Sequence, residues 1–234
     1  FLFYFLPLAL LGYYVLPQRH RNLLLTLASY VFYGWWKPWF VSLMLISTAI
    51  DWYCGLAITK EGASERTRKR AVLVSIVANL GLLGFFKYAT FAQDNLNSLL
   101  VLFGAEATEL LGIVLPVGIS FYSLQSMSYS IDLYRGDARR AKSFGDFACY
   151  VAMFPQLVAG PIVRYREIYE QLDQRPSRGE LFREGALTFM VGFAKKILLA
   201  NTIGEIADLT FAAGSMPASV AWFGVIAYGF QIYF

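Results

Sequence analysis

The residues of this chain that could do chemistry are few and sit in apolar company. Lys195 and Lys196 interrupt the run GFAKKILLAN, and Arg164 and Arg166 follow directly on a Gly160–Pro161 pair. Cations so placed could meet an anionic group through charge-assisted hydrogen bonds. Two neighbouring lysines on an α-helix point about 100° apart, so they cannot share one route to water. At least one of them should face a cavity or an anionic group. Asp51 lies within STAIDWYCGLAI, Asn79 in the middle of the next apolar stretch, and Lys87 near its far end. Ionisable groups inside a membrane segment are costly, so each defaults to a functional reading. Each also has a structural one. Lys87 can snorkel to the interface, Asp51 can bond a neighbouring helix, and Asp132 can pair with Arg135 three residues on.

Gln125 is the best placed polar group of a stretch holding Ser120, Ser123, Ser126, Ser128 and Ser130. Such small hydroxyl residues let helices approach and bond across. The rival reading is a polar channel lining. The single histidine, His20, sits in QRHR with no carboxylate nearby in sequence to orient it. Cys54 and Cys149 lie far apart in apolar surroundings and read as small buried residues. No nucleophile elbow, phosphate loop, zinc-protease motif or paired-cysteine pattern is present, and the residues suggest no metal site.

The elements that position these groups follow from composition. Of 234 residues, 57% are hydrophobic and 15% charged, and aromatics reach 17%. Mean hydropathy is +0.50. A soluble domain carries about 25% charged residues, so the excess of apolar side chains belongs in lipid. That excludes a soluble enzyme and a disordered chain. The net charge of +4 is carried by short basic runs between apolar stretches, which reads as membrane topology and not as nucleic-acid binding. The expected fold is all-α: a polytopic transmembrane helical protein.

A spanning helix needs about 17–25 apolar residues. The stretches that approach this are 1–16, 22–36, 39–58, 71–91, 110–133, 181–200 and one starting near 218. A further stretch, 144–163, is broken by Pro155, Gly160 and Pro161. A short amphipathic surface helix is possible over 95–103. The connector holding Arg19 and Arg21 is basic, and so are the one with Lys60, Arg66, Arg68, Lys69 and Arg70 and the one with Arg135, Arg139, Arg140 and Lys142. The connector at 93–109 carries Asp94, Glu106 and Glu109 and no cation. The positive-inside rule then puts the N-terminus outside and the basic connectors in the cytoplasm. The connector at 164–183, with Arg164, Arg166, Arg175, Arg178 and Arg183, breaks the alternation if 144–163 crosses fully. A re-entrant segment around 154–163 restores it. Irregular backbone at membrane depth must be buried in protein or line a cavity, so such a segment would be a candidate site wall.

Five strings carry a family resemblance: ASYVFYGWW (28–36), FFKYATF (85–91), LPVGISFYSLQSMSYSIDLYRG (115–136), FPQLVAGPIVRY (154–165) and GFAKKILLAN (192–201). In this order they resemble the bacterial membrane-bound O-acyltransferases, and within them the alginate O-acetyltransferase branch more than the D-alanyl branch. The resemblance implies a multi-helix enzyme moving an acyl group from a cytoplasmic thioester donor, acetyl-CoA or another acyl thioester, with no tightly bound cofactor. It implies a lipid bilayer setting, a bacterial inner-membrane location and a periplasmic or extracellular partner acyltransferase that modifies an exported polysaccharide. It also implies that residues 1–234 are the N-terminal part of one transmembrane domain, cut at both ends. The family's catalytic histidine would then lie beyond residue 234. No residue here matches it, His20 included, so the fragment alone is expected to be inactive.

On this reading Arg164 and Arg166 are the first candidates for donor phosphates, and Lys195 and Lys196 the second. Gly160 and Pro161 would turn backbone groups toward the donor channel, with Gln125 as a polar lining residue. Two other classes stay open: a polytopic transporter or flippase, since broken helices and intramembrane charges also mark transporters, and a membrane scaffold that docks a partner enzyme. A downstream histidine beside Trp and Arg would favour the acyltransferase.

Overall fold

The computed structural model describes residues 1–109, 112–158, 160–173 and 179–234. No strand occurs among them, as the composition requires. The chain forms two compact units, 1–175 and 176–234.

In the first unit, α1 (Phe5–Val15) packs on α2 (Gln18–Gly34), and α2 lies against α3 (Trp39–Ile58). α4 (Glu65–Leu102) and α5 (Ile119–Arg135) complete a three-helix core with α3. The short α6 (Phe144–Ala152) inserts between α2, α3 and α5, and α7 (Tyr165–Asp173) closes on α5 and α6. α3 and α4 are long and apolar enough to cross a membrane. α4 starts at the Ser64 cap, whose side chain accepts from the Thr67 amide. It then runs for 38 residues, about 57 Å at 1.5 Å per residue. This corrects the expectation of a separate loop and surface helix over 93–103: the helix simply continues, well beyond the about 30 Å of hydrocarbon.

Two further boundaries move. α5 begins at Ile119, after irregular backbone over 112–118, because Gly118 adopts φ +75° and starts the helix from a left-handed turn. The expected start of that span at Leu110 falls outside the described residues, as do Arg175 and Arg178 of the next connector. The broken stretch is not one helix. α6 has nine residues, about 13 Å, and the described residues between it and Tyr165 form no helix.

That stretch reverses direction. Phe154 joins an aromatic cluster with Phe1, Phe5 and Phe32, near the start of α1 and the end of α2. Leu157 lies beside Gly118, at the first turn of α5. By Val163 the chain is back at α6, where the Tyr150 hydroxyl donates to the Val163 carbonyl at 2.9 Å. Arg166 then lies beside Asp132, in the last turn of α5. The segment therefore leaves and returns at the same end of the helices, the geometry of a re-entrant loop. Tyr150 ties this loop to the core, since its hydroxyl also meets the Gln125 carbonyl at 3.1 Å. Tyr150→Phe is expected to cost about 1 kcal/mol, seen as a lower unfolding temperature in detergent.

The second unit is a helical hairpin. α8 (Gly179–Ala194), a π-helical stretch (Lys195–Ala200) and α9 (Asn201–Ala212) form one rod, also long and apolar enough to cross a membrane. α10 (Ala218–Tyr233) folds back along α9. The expected span 181–200 is thus the first part of a longer rod.

Candidate functional site

Three of the basic connectors meet at one end of the first unit. Asn22, near the start of α2, donates to Asp146 Oδ1 at 2.7 Å and to the Leu172 carbonyl at 2.9 Å. This joins the start of α2 to the start of α6 and the end of α7. Tyr134 donates to Glu65 Oε1 at 2.6 Å, and Arg68 donates to the Tyr134 carbonyl at 3.1 Å. The start of α4 is thereby fixed to the end of α5. The charge pattern had grouped these connectors on one side, and the hydrogen bonds place them together. α7 with Arg164 and Arg166 joins the same end, as a re-entrant segment requires.

Between α7 and the connector 136–143 lies a cleft of about 500 Å³. Arg139, Arg140 and Lys142 line it on one side, and Tyr165, Tyr169, Glu170 and Asp173 on the other. Lys142 is bound to Asp173 at 2.9 Å, and Asp146 is held by the Ser143 hydroxyl at 2.7 Å and by Asn22. Arg139 and Arg140 have no ion pair with a described residue, and the carboxylates of Asp146 and Glu170 line the same cleft. Burial pushes the Tyr165 phenol well above the ordinary tyrosine range, and the nearby Tyr129, Asp173 and Asp146 add to this. It is a neutral hydroxyl at any physiological pH. The cleft thus pairs an arginine-bearing wall with a wall of tyrosines and carboxylates.

The candidate residues read from sequence divide between the two units. Arg166 donates its backbone N–H to Asp132 Oδ2 at 3.3 Å and holds Asp137 through Nη1 at 3.7 Å. Arg164, one residue before α7, is exposed and has no ion-pair partner among the described residues. Gly160 (φ +118°) and Pro161 are exposed on the returning strand of the loop. Gln125 is buried, and its amide donates to the Tyr150 carbonyl at 3.2 Å, near the end of α6. It faces the root of the loop. Lys195 and Lys196 open the π-helical stretch and are exposed. The wider turn there replaces the α-helical spacing expected for them, and π-helical turns recur at functional sites.

Asp132 does not pair with Arg135. It is buried and receives the Arg166 amide, because the start of α7 offers it an unpaired N–H that the helix itself cannot satisfy. His20 accepts from Arg19 Nε at 2.9 Å on the surface. Both cysteines are buried, and neither forms a disulfide among the described residues. Lys87 is exposed, with Nζ 5.5 Å from the Tyr88 ring centre.

A buried polar network joins three helices. Asp51 is fully buried in α3. It accepts from Ser75 and from Asn79 (2.8 Å) of α4, and from Ser126 of α5. Ser47 adds a bond to Asn79 Oδ1 at 2.7 Å. Asp51, Asn79 and Ser126 were each visible as polar residues in apolar stretches, but nothing local joined them. Tyr150, Tyr165 and the Arg139–Arg140 pair gave no sequence signal as a site.

Comparison with known proteins bears on the whole chain. It is 44% identical over all 234 residues to the probable alginate O-acetylase AlgI of Azotobacter vinelandii, covering 47% of that protein. It is 43% identical to the probable alginate O-acetylase AlgI of Pseudomonas aeruginosa, again over all its residues and 45% of that protein. The chain resembles the alginate O-acetylases from end to end. A peptidoglycan O-acetyltransferase of Helicobacter pylori is 32% identical over 267 aligned residues, which take in all of this chain and 50% of that protein. The chain spans about half the length of the curated relatives it matches. No family model matches it, and no solved structure matches it. The alignment with the alginate O-acetylases takes in all five strings.

Proposed function

We propose that the protein to which this chain belongs is a membrane-bound O-acetyltransferase. It moves acetyl groups from a cytoplasmic thioester donor toward an exported cell-surface polysaccharide such as alginate. The observation that carries this is the end-to-end similarity to alginate O-acetylases at 44% identity. The gathering of basic connectors at one end supports an inner-membrane orientation with those connectors in the cytoplasm and the N-terminus outside. A partner acyltransferase on the outer side would pass the acetyl group to the polymer.

In this reading the residues of this chain bind and orient. Arg164, with Arg166 beside it, meets the donor phosphates at the basic end. The re-entrant loop walls the passage and keeps water from the thioester. Gln125 and Tyr150 hold that wall in place, and Lys195 and Lys196 give a second cationic position. Acetyl-CoA is the donor that these cations would suit. The base that activates the acceptor hydroxyl is not assigned to any residue of this chain.

The test is deletion of the gene, with and without complementation, followed by measurement of base-labile acetyl groups on the exported polymer. Loss on deletion and return on complementation are expected. Unchanged acetylation would overturn the reading. Arg164→Ala is expected to raise the donor concentration for half-maximal transfer roughly tenfold, from loss of one charge-assisted hydrogen bond. Donor titration in inverted membrane vesicles with acetyl-CoA measures it, and an unchanged value would remove Arg164 from donor binding.

A further inference from the structure

The rotation of α4 about its axis is fixed, and this decides what its outer face presents. Ser75 and Asn79 are fully buried on α4 and bonded to Asp51, and Ala71 is buried on the same side. At about 100° per residue, Arg66, Lys69, Arg70, Leu73, Val77 and Leu80 all fall within about 60° of the opposite direction. They form one stripe about 20 Å long. Its lower part is exposed apolar surface: Leu73 is 59% and Val77 61% accessible. Its head is three cations. Arg66 and Arg70 have no ion pair with a described residue, and Lys69 has only a loose one to Glu65 at 3.7 Å. Glu65 itself is held by the Tyr134 hydroxyl. The three cations, Glu65 and Leu73 line an open cleft of about 410 Å³. Arg68, between them in sequence, turns inward to the Tyr134 carbonyl instead.

We propose that this stripe is a binding site for an anionic phospholipid. The phosphodiester sits among Arg66, Lys69 and Arg70, and one acyl chain lies along Leu73, Val77 and Leu80. Charge complementarity selects the headgroup, because cations next to a spanning helix attract anionic lipid. The apolar continuation of the same stripe selects a lipid over a free phosphate, since it offers surface that only an acyl chain covers. The site shares no residue with the cleft at α7 and does not depend on the O-acetyltransferase reading.

The experiment is native mass spectrometry of the purified protein in micelles with equal phosphatidylglycerol and phosphatidylcholine. The retained phosphatidylglycerol-to-phosphatidylcholine ratio is read. Arg66→Gln/Lys69→Gln/Arg70→Gln is expected to lower the ratio about tenfold. Arg66→Lys/Arg70→Lys keeps the charge and should keep the ratio. Arg19→Gln/Lys60→Gln/Arg135→Gln removes as much charge elsewhere at the same end and should also keep it. Leu73→Asn/Val77→Asn should weaken retention of both lipids. An unchanged ratio in the first triple variant would overturn the site, and so would an equal fall in both triple variants. Displacement of phosphatidylglycerol by millimolar inorganic phosphate would overturn the assignment to lipid.

Discussion

Asp51→Leu is expected to destabilise the protein by about 2–4 kcal/mol. The carboxylate accepts from Ser75, Asn79 and Ser126 with no exposure to solvent. Leucine would leave those donors facing hydrocarbon. The serine hydroxyls can turn back to carbonyls of their own helices. Asn79 Nδ2 keeps its bond to the Ser75 carbonyl but loses the carboxylate. A buried donor without its partner costs about 1–3 kcal/mol. Asp51→Asn keeps one acceptor oxygen but points an N–H toward other donors, so its cost should be about half. Thermal unfolding in detergent measures both. A leucine variant as stable as the parent would show that the network does not hold α3, α4 and α5 together. It would also remove the ground for fixing the rotation of α4.

Gly118→Ala is expected to cost about 3 kcal/mol and to loosen the re-entrant loop. Gly118 has φ +75°, and a Cβ there would stand 2.6 Å from the Leu157 carbonyl oxygen. The left-handed conformation costs a side chain about 1–2 kcal/mol. The clash adds about 1–3 kcal/mol, because backbone has to move. Gly136→Ala provides the comparison. Its φ is +80° with nothing within 4 Å, so only the conformational cost applies. Unfolding temperature, with protease sensitivity across 154–164, separates the two. If Gly118→Ala is no worse than Gly136→Ala, Leu157 does not press on α5 and the loop does not reach as deep as described. If it is worse and acetyl transfer also falls, the loop's position matters to the proposed passage.

The comparison with the known O-acetylases concerns sequence over half of their length, so the shared half is the one described here. It holds a basic end, a re-entrant loop rooted on Tyr150 and Gln125, and a cleft beside α7.

Much of this was legible in the residues alone. Membrane character follows from 57% hydrophobic and 15% charged residues, a property that no arrangement can alter. The grouping of the connectors with Arg21, Arg68 and Arg139 at one end follows from their alternation with apolar stretches, because a helix that crosses must change sides. The same alternation required the chain around 154–163 to turn back. The family resemblance rested on local strings, which need no fold to be read. The tertiary structure decided the rest. Whether Asp51 met a cation, water or three donors depended on the rotation of α3, α4 and α5, and local sequence does not fix the rotation of a helix that is apolar on most sides. Asp132 could have reached Arg135 one turn along. It took the Arg166 amide because the returning loop brought an unsatisfied helix start to it. The outward aim of Arg66, Lys69 and Arg70 and the inward aim of Arg68 follow from the same cause. Once Ser75 and Asn79 are bound to Asp51, every other side chain on α4 has its direction set.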